Sequence, residues 1–516
     1  MIKRAPALRL PAWALALLIA ILALDVVSLL GATRTIIGYR YNVDYGEGIV
    51  WQQMINMVAG RGYSPIGVFP AIVYHYPPVY HLAVAALVRV TGADPLFTGR
   101  ALSFAATLAS AVAVGLIARA AIATVGDRRT AIAGGLFAGL LFPVCQPVAE
   151  WSATMRVDML ACLFTLCGLL LTIMALRRPR LILAAALCFT LGVYTKQVTV
   201  AAPAAAILGL LLTRPRLGWT CLVACLVIGL AALGTLTLMT HGGFLRHIVL
   251  YNMNRNEAHR LWSLLPPLRA HVAFVLMALL GCGIAWASFR RESGGSERRA
   301  ILLILGLYLI LRTLMLAMIV KSGGSSNYLI EWFAPLAILA ALGASPAFAF
   351  AVGERPPAGW PFSPESVAPT LLLIAAAIQA IPLAQWGDFT AAAHAKAGRL
   401  DRLVHAIHAT PAPVISDDMT LLIRAGRSAE WEPAIAAELA ALGRYDEPAF
   451  VALVRRRCFG GFITDGDRGD TTYDSRYNPA VADAMDATYP RRFIYAGMVL
   501  HLPPHGLAPR DCPGIR

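Results

Sequence analysis

Charge is what this sequence has little of. Of its 516 residues only 14% are charged, whereas 58% are hydrophobic, and the mean hydropathy is +0.64. Apolar runs of about 20 residues with few charges recur along the chain, which is the length that crosses a bilayer as a helix. The composition therefore excludes an ordinary soluble domain and predicts a polytopic α-helical membrane protein.

Metal-binding cysteine patterns are also missing. The chain has nine cysteines but no CxxC pair, so no zinc site is indicated. Most of the cysteines lie in or beside apolar segments, where they behave as small hydrophobic residues. We expect no cofactor, and no pattern indicates a divalent metal.

The basic excess does not indicate a nucleic-acid partner. The net charge is +15, but much of the Lys and Arg lies in short clusters between apolar runs, where the positive-inside rule places it in the cytoplasm. A nucleic-acid-binding protein gathers such residues on one soluble face. We therefore expect a multi-pass protein of the inner (cytoplasmic) membrane with a cytoplasmic N-terminus and no nucleic-acid partner.

The same charge rule selects a topology of about eleven transmembrane helices. The helical runs within residues 46–91 are expected to be interfacial, because counting 78–91 as a span would put the next arginine cluster outside. The spans are then predicted at residues 13–30, 96–118, 131–149, 159–176, 181–194, 198–213, 219–239, 268–288, 301–320, 328–345 and 368–385.

Two domains follow from this topology: residues 1–386 in the membrane and residues 387–516 outside it. Short apolar runs at 412–416, 461–464 and 493–496 alternate with helical segments, which predicts a small C-terminal α/β extracytoplasmic domain. Cys458 and Cys512 would share an oxidising space there, so we expect a disulfide.

Two acids follow the first span, Asp44 and Glu47. Three residues apart, they fall on one face of a helix that begins near Asp44, where a carboxylate suits general-base chemistry. The alternative is structural: Asp44 caps the helix and Glu47 completes a capping box.

Other polar residues gather on the same outer side in this topology. Singly, each is explained as an interface anchor; together they indicate a polar cavity. Cations near a membrane surface suit a phosphate or pyrophosphate, and acids suit deprotonation of a hydroxyl. The acids are Asp44, Glu47 and Asp158, and the candidate phosphate ligands are His75, Arg100, Arg156, Lys196, Arg255 and Arg260.

The order of these features resembles that of the GT-C membrane glycosyltransferases, in the branch of the protein O-mannosyltransferases and the lipid A aminoarabinose transferases. The resemblance covers about residues 10–345. It rests on the acidic motif at 44–48, Tyr-Pro-Pro-Val-Tyr at 76–80, Gly-Arg-Ala-Leu-Ser at 99–103, Arg-Val-Asp-Met at 156–159, Thr-Lys-Gln at 195–197 and Ser-Ser-Asn-Tyr-Leu-Ile-Glu at 325–331.

The resemblance implies a GT-C-type helix bundle, a polyprenyl-phosphate-linked sugar donor and a site on the outer face. It makes Asp44 and Glu47 the catalytic candidates, but relatives usually have adjacent acids, so which of the two is the base stays open. Arg100 and Asp158 match further family positions. We expect the substrate to be lined by Tyr45, Tyr76, Asn327, Tyr328 and Glu331.

The reaction expected from these features is a metal-independent, inverting displacement at the anomeric carbon. The acceptor is a hydroxyl or amine on a lipid, a polysaccharide or a protein. Two alternatives remain: a flippase for a lipid-linked saccharide, which should show internal repeats and mid-span charges, and a non-catalytic envelope assembly protein.

Overall fold

The computed structural model describes residues 10–291, 297–354, 367–384, 389–505, 509–510 and 512. The basic N-terminus and the predicted domain boundary at 386/387 lie outside the described residues. The membrane domain is helical, as predicted from the apolar runs. Its α-helices are α1 Leu10–Gly38, α2 Gly46–Val58, α3 Val79–Thr91, α4 Pro95–Ile122, α5 Arg128–Val144, α6 Gln146–Trp151, α7 Asp158–Ala175, α8 Leu181–Thr195, α9 Ala201–Thr213, α10 Pro215–Met239, α11 Gly243–Leu245, α12 Leu265–Ala270, α13 Val272–Arg291, α14 Glu297–Met315, α15 Ile330–Ala351 and α16 Ala368–Ala380.

Short turns of other helix types join some of these elements. A π-helical segment covers Arg246–Leu250, and 3₁₀ segments cover Ala258–Leu264, Leu316–Val320, Ser326–Leu329 and Ile381–Ala384.

All eleven predicted spans fall on helices, but fewer are long enough to cross a bilayer. Among the described residues six helices have the length and apolarity for a span, or seven if the pair Ala258–Ala270 and Val272–Ala287, bent by 86°, is one span. This count is below the predicted eleven because several of the predicted spans fall on shorter helices, such as α5 with 17 residues, whereas about 20 residues cross a bilayer as an untilted helix. The chain is a multi-pass membrane protein.

Helix α15 forms the centre of the bundle, and its residues from Ile330 to Ala349 are buried. Its neighbour α13 approaches it closely where both carry glycine. A Cβ atom on Gly281 would lie 2.0 Å from the Leu339 carbonyl oxygen, and one on Gly343 would lie 1.9 Å from that of Met277. Small residues at such crossings let the two backbones pack directly, which is how membrane helices gain van der Waals contact.

The first outer loop contains the two short helices that the sequence predicted. Helix α2 ends at Val58, just before the glycine-rich stop at residues 60–62, and α3 ends at Gly92 in the left-handed conformation. Glycine adopts this conformation without steric cost, which explains the end of α3 there.

The C-terminal domain is a four-stranded sheet with helices. Strand order is β1-β2-β4-β3; β1 runs parallel to β2, and β4 runs antiparallel to both β2 and β3. Three predicted strands and the Cys458–Cys512 disulfide are confirmed, whereas β4 was not predicted. The elements are α17 Phe389–Ala409, β1 Val414–Ser416, α18 Met419–Arg424, α19 Pro433–Ala441, α20 Glu447–Arg455, β2 Gly461–Thr464, α21 Thr471–Asp474, α22 Pro479–Thr488, β3 Arg491–Tyr495 and β4 Met498–Leu502.

This domain packs directly on the first outer loop. The backbone of Gly48 in α2 meets α18 so closely that an added Cβ would lie 2.8 Å from the Met419 Cβ. Arg424 of α18 pairs with Asp94 and lies 4.8 Å from the ring centre of Trp51. The acidic motif is therefore enclosed between the membrane domain and the C-terminal domain.

Candidate active site

Glu47 is fully buried and its carboxylate is fully hydrogen-bonded. Oε1 accepts from Arg100 Nε and from the Met155 backbone N–H, both at 2.8 Å. Oε2 accepts from Arg100 Nη2 at 2.6 Å and from the Val43 backbone N–H at 2.8 Å. Four donors thus hold Glu47 away from the site surface.

Arg100 completes this network and has no donor to spare. Its Nη1 donates to the carbonyl oxygens of Ile36 at 2.8 Å and Tyr39 at 2.6 Å, and Nη2 also donates to that of Tyr41 at 2.6 Å. With the two bonds to Glu47, all five N–H groups of the guanidinium are used. The predicted phosphate role of Arg100 finds no free N–H group in this structure; the residue instead joins the end of α1 to α4.

Asp44 has different surroundings from Glu47. Its side chain is 25% exposed. Oδ2 accepts from the Gly46 backbone N–H at 2.8 Å and from Arg156 Nη1 at 3.0 Å, while no hydrogen bond from a described residue reaches Oδ1. One oxygen is fixed and the other is open.

The capping interpretation of the motif holds only in part. The Asp44 side chain does accept from a backbone N–H at the start of α2, but Glu47 reaches back to Val43 and not to Asp44. The two acids therefore do not form the reciprocal capping box.

The two residues between the acids, Tyr45 and Gly46, each lie against an arginine side chain. A Cβ on Gly46 would lie 1.3 Å from Arg156 Nη1, so only glycine lets the arginine reach Asp44. Tyr45 lies against the C-terminal domain, with the Arg476 guanidinium 4.1 Å from its ring centre. Arg476 is held in turn by Asp417 at 3.0 Å. Burial raises the pKa of Tyr45 well above its ordinary value, which keeps the phenol neutral.

Arg156 connects Asp44 to the aromatic residues of the site. Its Nη2 lies 3.4 Å from the Tyr76 hydroxyl, and its guanidinium lies 5.3 Å from the ring centre of Trp151. Its Nε is buried without a hydrogen-bond partner. Arg156 therefore has donor capacity beyond its bond to Asp44.

Asp158 and Lys196 form a buried ion pair next to this cluster. Lys196 Nζ donates to Asp158 Oδ1 at 2.5 Å, and Asn327 Nδ2 donates to the same oxygen at 3.1 Å. The Lys196 ammonium also lies 5.2 Å from the ring centre of Tyr328. The structure thus brings together four residues from three separate sequence motifs.

A second ion pair adjoins the first, between Glu331 and Arg312. Arg312 Nη1 lies 3.4 Å from Glu331 Oε2, its Nη2 donates to the Tyr328 carbonyl oxygen at 2.8 Å, and the Tyr308 hydroxyl donates to Glu331 Oε1 at 3.1 Å. Arg312 was not among the site residues predicted from the sequence. An arginine within the apolar run 301–320 is the signal that marks it, because charges inside spans are costly and usually functional.

Lys321 is a second functional candidate, which the sequence places on the outer side of the membrane but does not mark as a phosphate ligand. Its Nζ donates to Asn252 Oδ1 at 2.7 Å, and no carboxylate of a described residue lies within ion-pair distance. Burial lowers the pKa of Lys321. Asn252 in turn donates to the His75 carbonyl oxygen at 3.2 Å, as does Gln197 at 2.8 Å, which ties Lys321 to this part of the site.

The three other predicted phosphate ligands lie near carboxylates. His75 Nε2 is 3.5 Å from Glu432. Arg255 binds Glu438 of the C-terminal domain at 3.2 Å. Arg260 Nε lies 2.5 Å from Glu257. Their phosphate roles stay predictions.

Each acid of the cluster has a cationic partner: Arg156 for Asp44, Arg100 for Glu47, Lys196 for Asp158 and Arg312 for Glu331. Within the described part of the chain no group of three or more His, Cys, Asp or Glu side chains is placed to hold a metal ion. Metal independence remains a prediction.

Comparison with known proteins gives a match at the level of fold. No protein-family model and no curated protein matches the sequence. The crystal structure of ArnT from Cupriavidus metallidurans bound to undecaprenyl phosphate matches with a TM-score of 0.57 and 14% identity over 95% of this chain and 99% of that one. Its apo state matches with a TM-score of 0.59 and 15% identity over 95% and 98%.

The archaeal oligosaccharyltransferase AglB from Archaeoglobus fulgidus, in complex with an inhibitory peptide and a dolichol-phosphate, matches with a TM-score of 0.51. The identity is 13%, over 92% of this chain and 71% of that one. ArnT and AglB are GT-C glycosyltransferases. At this identity the likeness shows the fold, so the GT-C architecture implied by the sequence motifs is confirmed.

Proposed function

We propose that this protein is a membrane glycosyltransferase that moves a sugar from a polyprenyl-phosphate donor to an acceptor hydroxyl or amine. The observation that carries the proposal is the geometry of Asp44. Arg156 and the Gly46 N–H hold one carboxylate oxygen, while the other is open on a partly exposed side chain. A general base requires this combination of fixed orientation and one free oxygen.

Asp44 rather than Glu47 is the base in this proposal. Glu47 has no open oxygen, and removing its hydrogen bonds would leave the buried Arg100 guanidinium without a counterion. The insertion of Tyr45 and Gly46 between the acids separates their roles: Glu47 turns inward to Arg100, and Asp44 stays at the surface.

Arg156 and Lys321 are the proposed ligands of the donor phosphate. Arg156 has an unpartnered Nε, and Lys321 is held by an amide and by no described carboxylate. Lys321, which has no counterion among the described residues, and the unpartnered Nε of Arg156, whose Nη1 pairs with Asp44, can stabilise the charge that develops on a departing phosphate. Lys196 is already neutralised by Asp158, so we assign it to the sugar side of the site.

The structural neighbours support the class of donor. ArnT was crystallised with undecaprenyl phosphate and AglB with a dolichol-phosphate, and both are phosphorylated polyprenyl lipids. For this chain we propose the same class of lipid, and a lipid, polysaccharide or protein as acceptor. The positive-inside rule favours a site on the outer face of the inner membrane, with the C-terminal domain extracytoplasmic.

The test is transfer by purified protein in lipid nanodiscs, supplied with polyprenyl-phosphate hexose and envelope extract as acceptor source. Asp44→Asn should reduce transfer about 10²- to 10⁴-fold, which is the usual contribution of a general base. The matched control is Asp483→Asn, an exposed aspartate that pairs with Arg468 in the C-terminal domain. Equal transfer by wild type and Asp44→Asn would exclude Asp44 as base, and a scaffold function predicts that outcome.

A further inference from the structure

A narrow cavity lies between the two ion pairs of the site, and three polar atoms of its lining residues have no hydrogen-bond partner. It is lined by Asp158, Lys196, Arg312, Asn327, Tyr328 and Glu331 among others, and its free volume is about 10 Å³. This volume fits one water-sized group and not a whole sugar ring.

The three unpartnered atoms are Asp158 Oδ2, Glu331 Oε2 and Arg312 Nε. Their side chains are deeply buried, with exposures of 2% for Asp158 and 5% for both Arg312 and Glu331. Glu331 Oε2 has only the 3.4 Å ion-pair contact to Arg312. Buried polar atoms in native proteins are nearly always hydrogen-bonded, so three unpaired ones around one cavity indicate an occupant.

The unpaired atoms restrict the chemistry of that occupant. Two are acceptors and one is a donor, so the occupant must both donate and accept hydrogen bonds. An ammonium only donates, leaves Arg312 Nε unpaired and is repelled by Lys196 and Arg312. A carboxylate only accepts and is repelled by Asp158 and Glu331. A neutral hydroxyl satisfies both kinds of partner.

We propose that this cavity takes one neutral hydroxyl of the donor sugar, with the ring at its mouth beside Tyr328. The inference rests on the proposed function and adds a specificity to it: the group that enters is a hydroxyl, and not an amino or carboxyl substituent. The hydroxyl donates to Glu331 Oε2 and accepts from Arg312 Nε. Water fills the cavity when no donor is bound.

The cavity is connected to the proposed base through Arg156. Arg156 lies two residues before Asp158 in the chain, and its guanidinium bridges from Asp44 to Tyr76. In this proposal a sugar hydroxyl held in the cavity fixes the orientation of the donor ring. This fixed orientation is what a displacement reaction requires.

The experiment measures equilibrium binding of short-chain polyprenyl-phosphate sugars to the full-length protein in nanodiscs without an acceptor. The probes are a neutral hexose donor, its monodeoxy analogues, and analogues with an amino or carboxyl group in place of one hydroxyl. At one ring position each replacement should weaken binding at least about tenfold, since the site's charged groups lose a hydrogen bond and stay desolvated. Equal binding of the whole series would overturn the proposal and leave a structural water only.

Glu331→Gln supplies a second arm of the same experiment. If the cavity binds the hydroxyl, this variant should lose most of its discrimination against the sensitive deoxy donor, so that the two perturbations are not additive. The control is Glu297→Gln, which removes the charge of an exposed carboxylate paired with Arg177 and should keep the wild-type discrimination. If the loss of binding free energy caused by Glu331→Gln and the loss caused by the deoxy donor simply add, the proposal is also overturned.

The binding series separates failure of this inference from failure of the proposed function. Selective hexose binding with no sugar transfer to any acceptor would retain the cavity assignment and reject the transferase. Transfer that depends on Asp44 but shows no preference among the deoxy, amino and carboxyl donors would retain the transferase and reject the cavity assignment.

Discussion

Replacing Glu47 by glutamine should damage the fold more than the chemistry. The Glu47 carboxylate receives four hydrogen bonds, two of them from Arg100, and both side chains are fully buried. Glutamine offers one oxygen and one NH₂ group to these donors. Whichever way the amide is turned, its NH₂ faces one Arg100 N–H and one backbone N–H, so two donors lose their acceptor.

The expected loss of stability follows from the burial of Arg100. Breaking a buried ion pair by removing one partner costs about 3–5 kcal/mol, because the remaining charge stays desolvated without compensation. This is a large share of the 5–15 kcal/mol by which folded domains are typically stable. We therefore expect Glu47→Gln to give little folded protein and a clear fall in melting temperature.

The assay compares thermal unfolding in detergent, followed by tryptophan fluorescence, with sugar transfer per folded molecule. Asp44→Asn should melt close to wild type and lose transfer, because the Asp44 side chain is partly exposed and keeps its backbone partner. The control Glu297→Gln, from an exposed pair, should match wild type in both measurements. A Glu47→Gln protein that melts like wild type but has lost all transfer would refute the structural role of Glu47.

Three further predictions concern the phosphate site, the outer loop and the C-terminal domain. Lys321→Met should raise the KM for the lipid donor about 10- to 100-fold through loss of a charge-assisted bond; an unchanged KM in steady-state assays would remove Lys321 from the site. His247, in the π-helical segment Arg246–Leu250, packs on the first outer loop and accepts from the Tyr74 backbone N–H at 3.1 Å. Burial lowers the pKa of His247 to about 4, against an unfolded value near 6.5. The contribution of neutral His247 to the free energy of unfolding is therefore complete above about pH 6.5 and decreases as the pH falls toward 4, by up to about 1.4 kcal/mol per pH unit. His247→Phe should make the free energy of unfolding less dependent on pH in this range. A pH dependence equal to that of the wild type would contradict the low pKa of His247. Cys458→Ala removes a cross-link that spans 54 residues and should destabilise the C-terminal domain by about 4 kcal/mol; limited proteolysis with and without reductant measures this, and equal resistance of both proteins would contradict it.

Long and locally determined features could be predicted from the sequence. The membrane class followed from the length of the apolar runs, and the end of α3 followed from Gly92, which takes the left-handed conformation there. Six or seven described helices have the length and apolarity for a span, against eleven predicted, because an apolar run marks a buried or membrane helix without fixing its length; α8 and α9 have only 15 and 13 residues.

The choice between Asp44 and Glu47 could not be made from local sequence. It depends on Arg100, which lies 53 residues from Glu47 along the chain, and on the Met155 backbone N–H, at a separation of 108 residues. Contacts at such distances appear only when the helices pack. The order of motifs indicated that these segments belong to one site, but not which acid turns inward.

Strand β4 was missed for a different reason. It is joined to β3 by Ala496 and Gly497, which both have positive φ and make the tight two-residue turn of a hairpin. Alanine is not a typical residue for this conformation, so residues 496–497 carry no clear turn signal.

The most direct test of the central claim is sugar transfer from polyprenyl-phosphate hexose by purified wild-type protein and Asp44→Asn in nanodiscs, with release of the polyprenyl phosphate measured at equal amounts of folded protein. The structure predicts release by the wild type, a reduction of about 10²- to 10⁴-fold in Asp44→Asn, and full activity in Asp483→Asn. Wild-type rates of release in Asp44→Asn, or no acceptor-dependent release by the wild type with any polyprenyl-phosphate sugar, would contradict it.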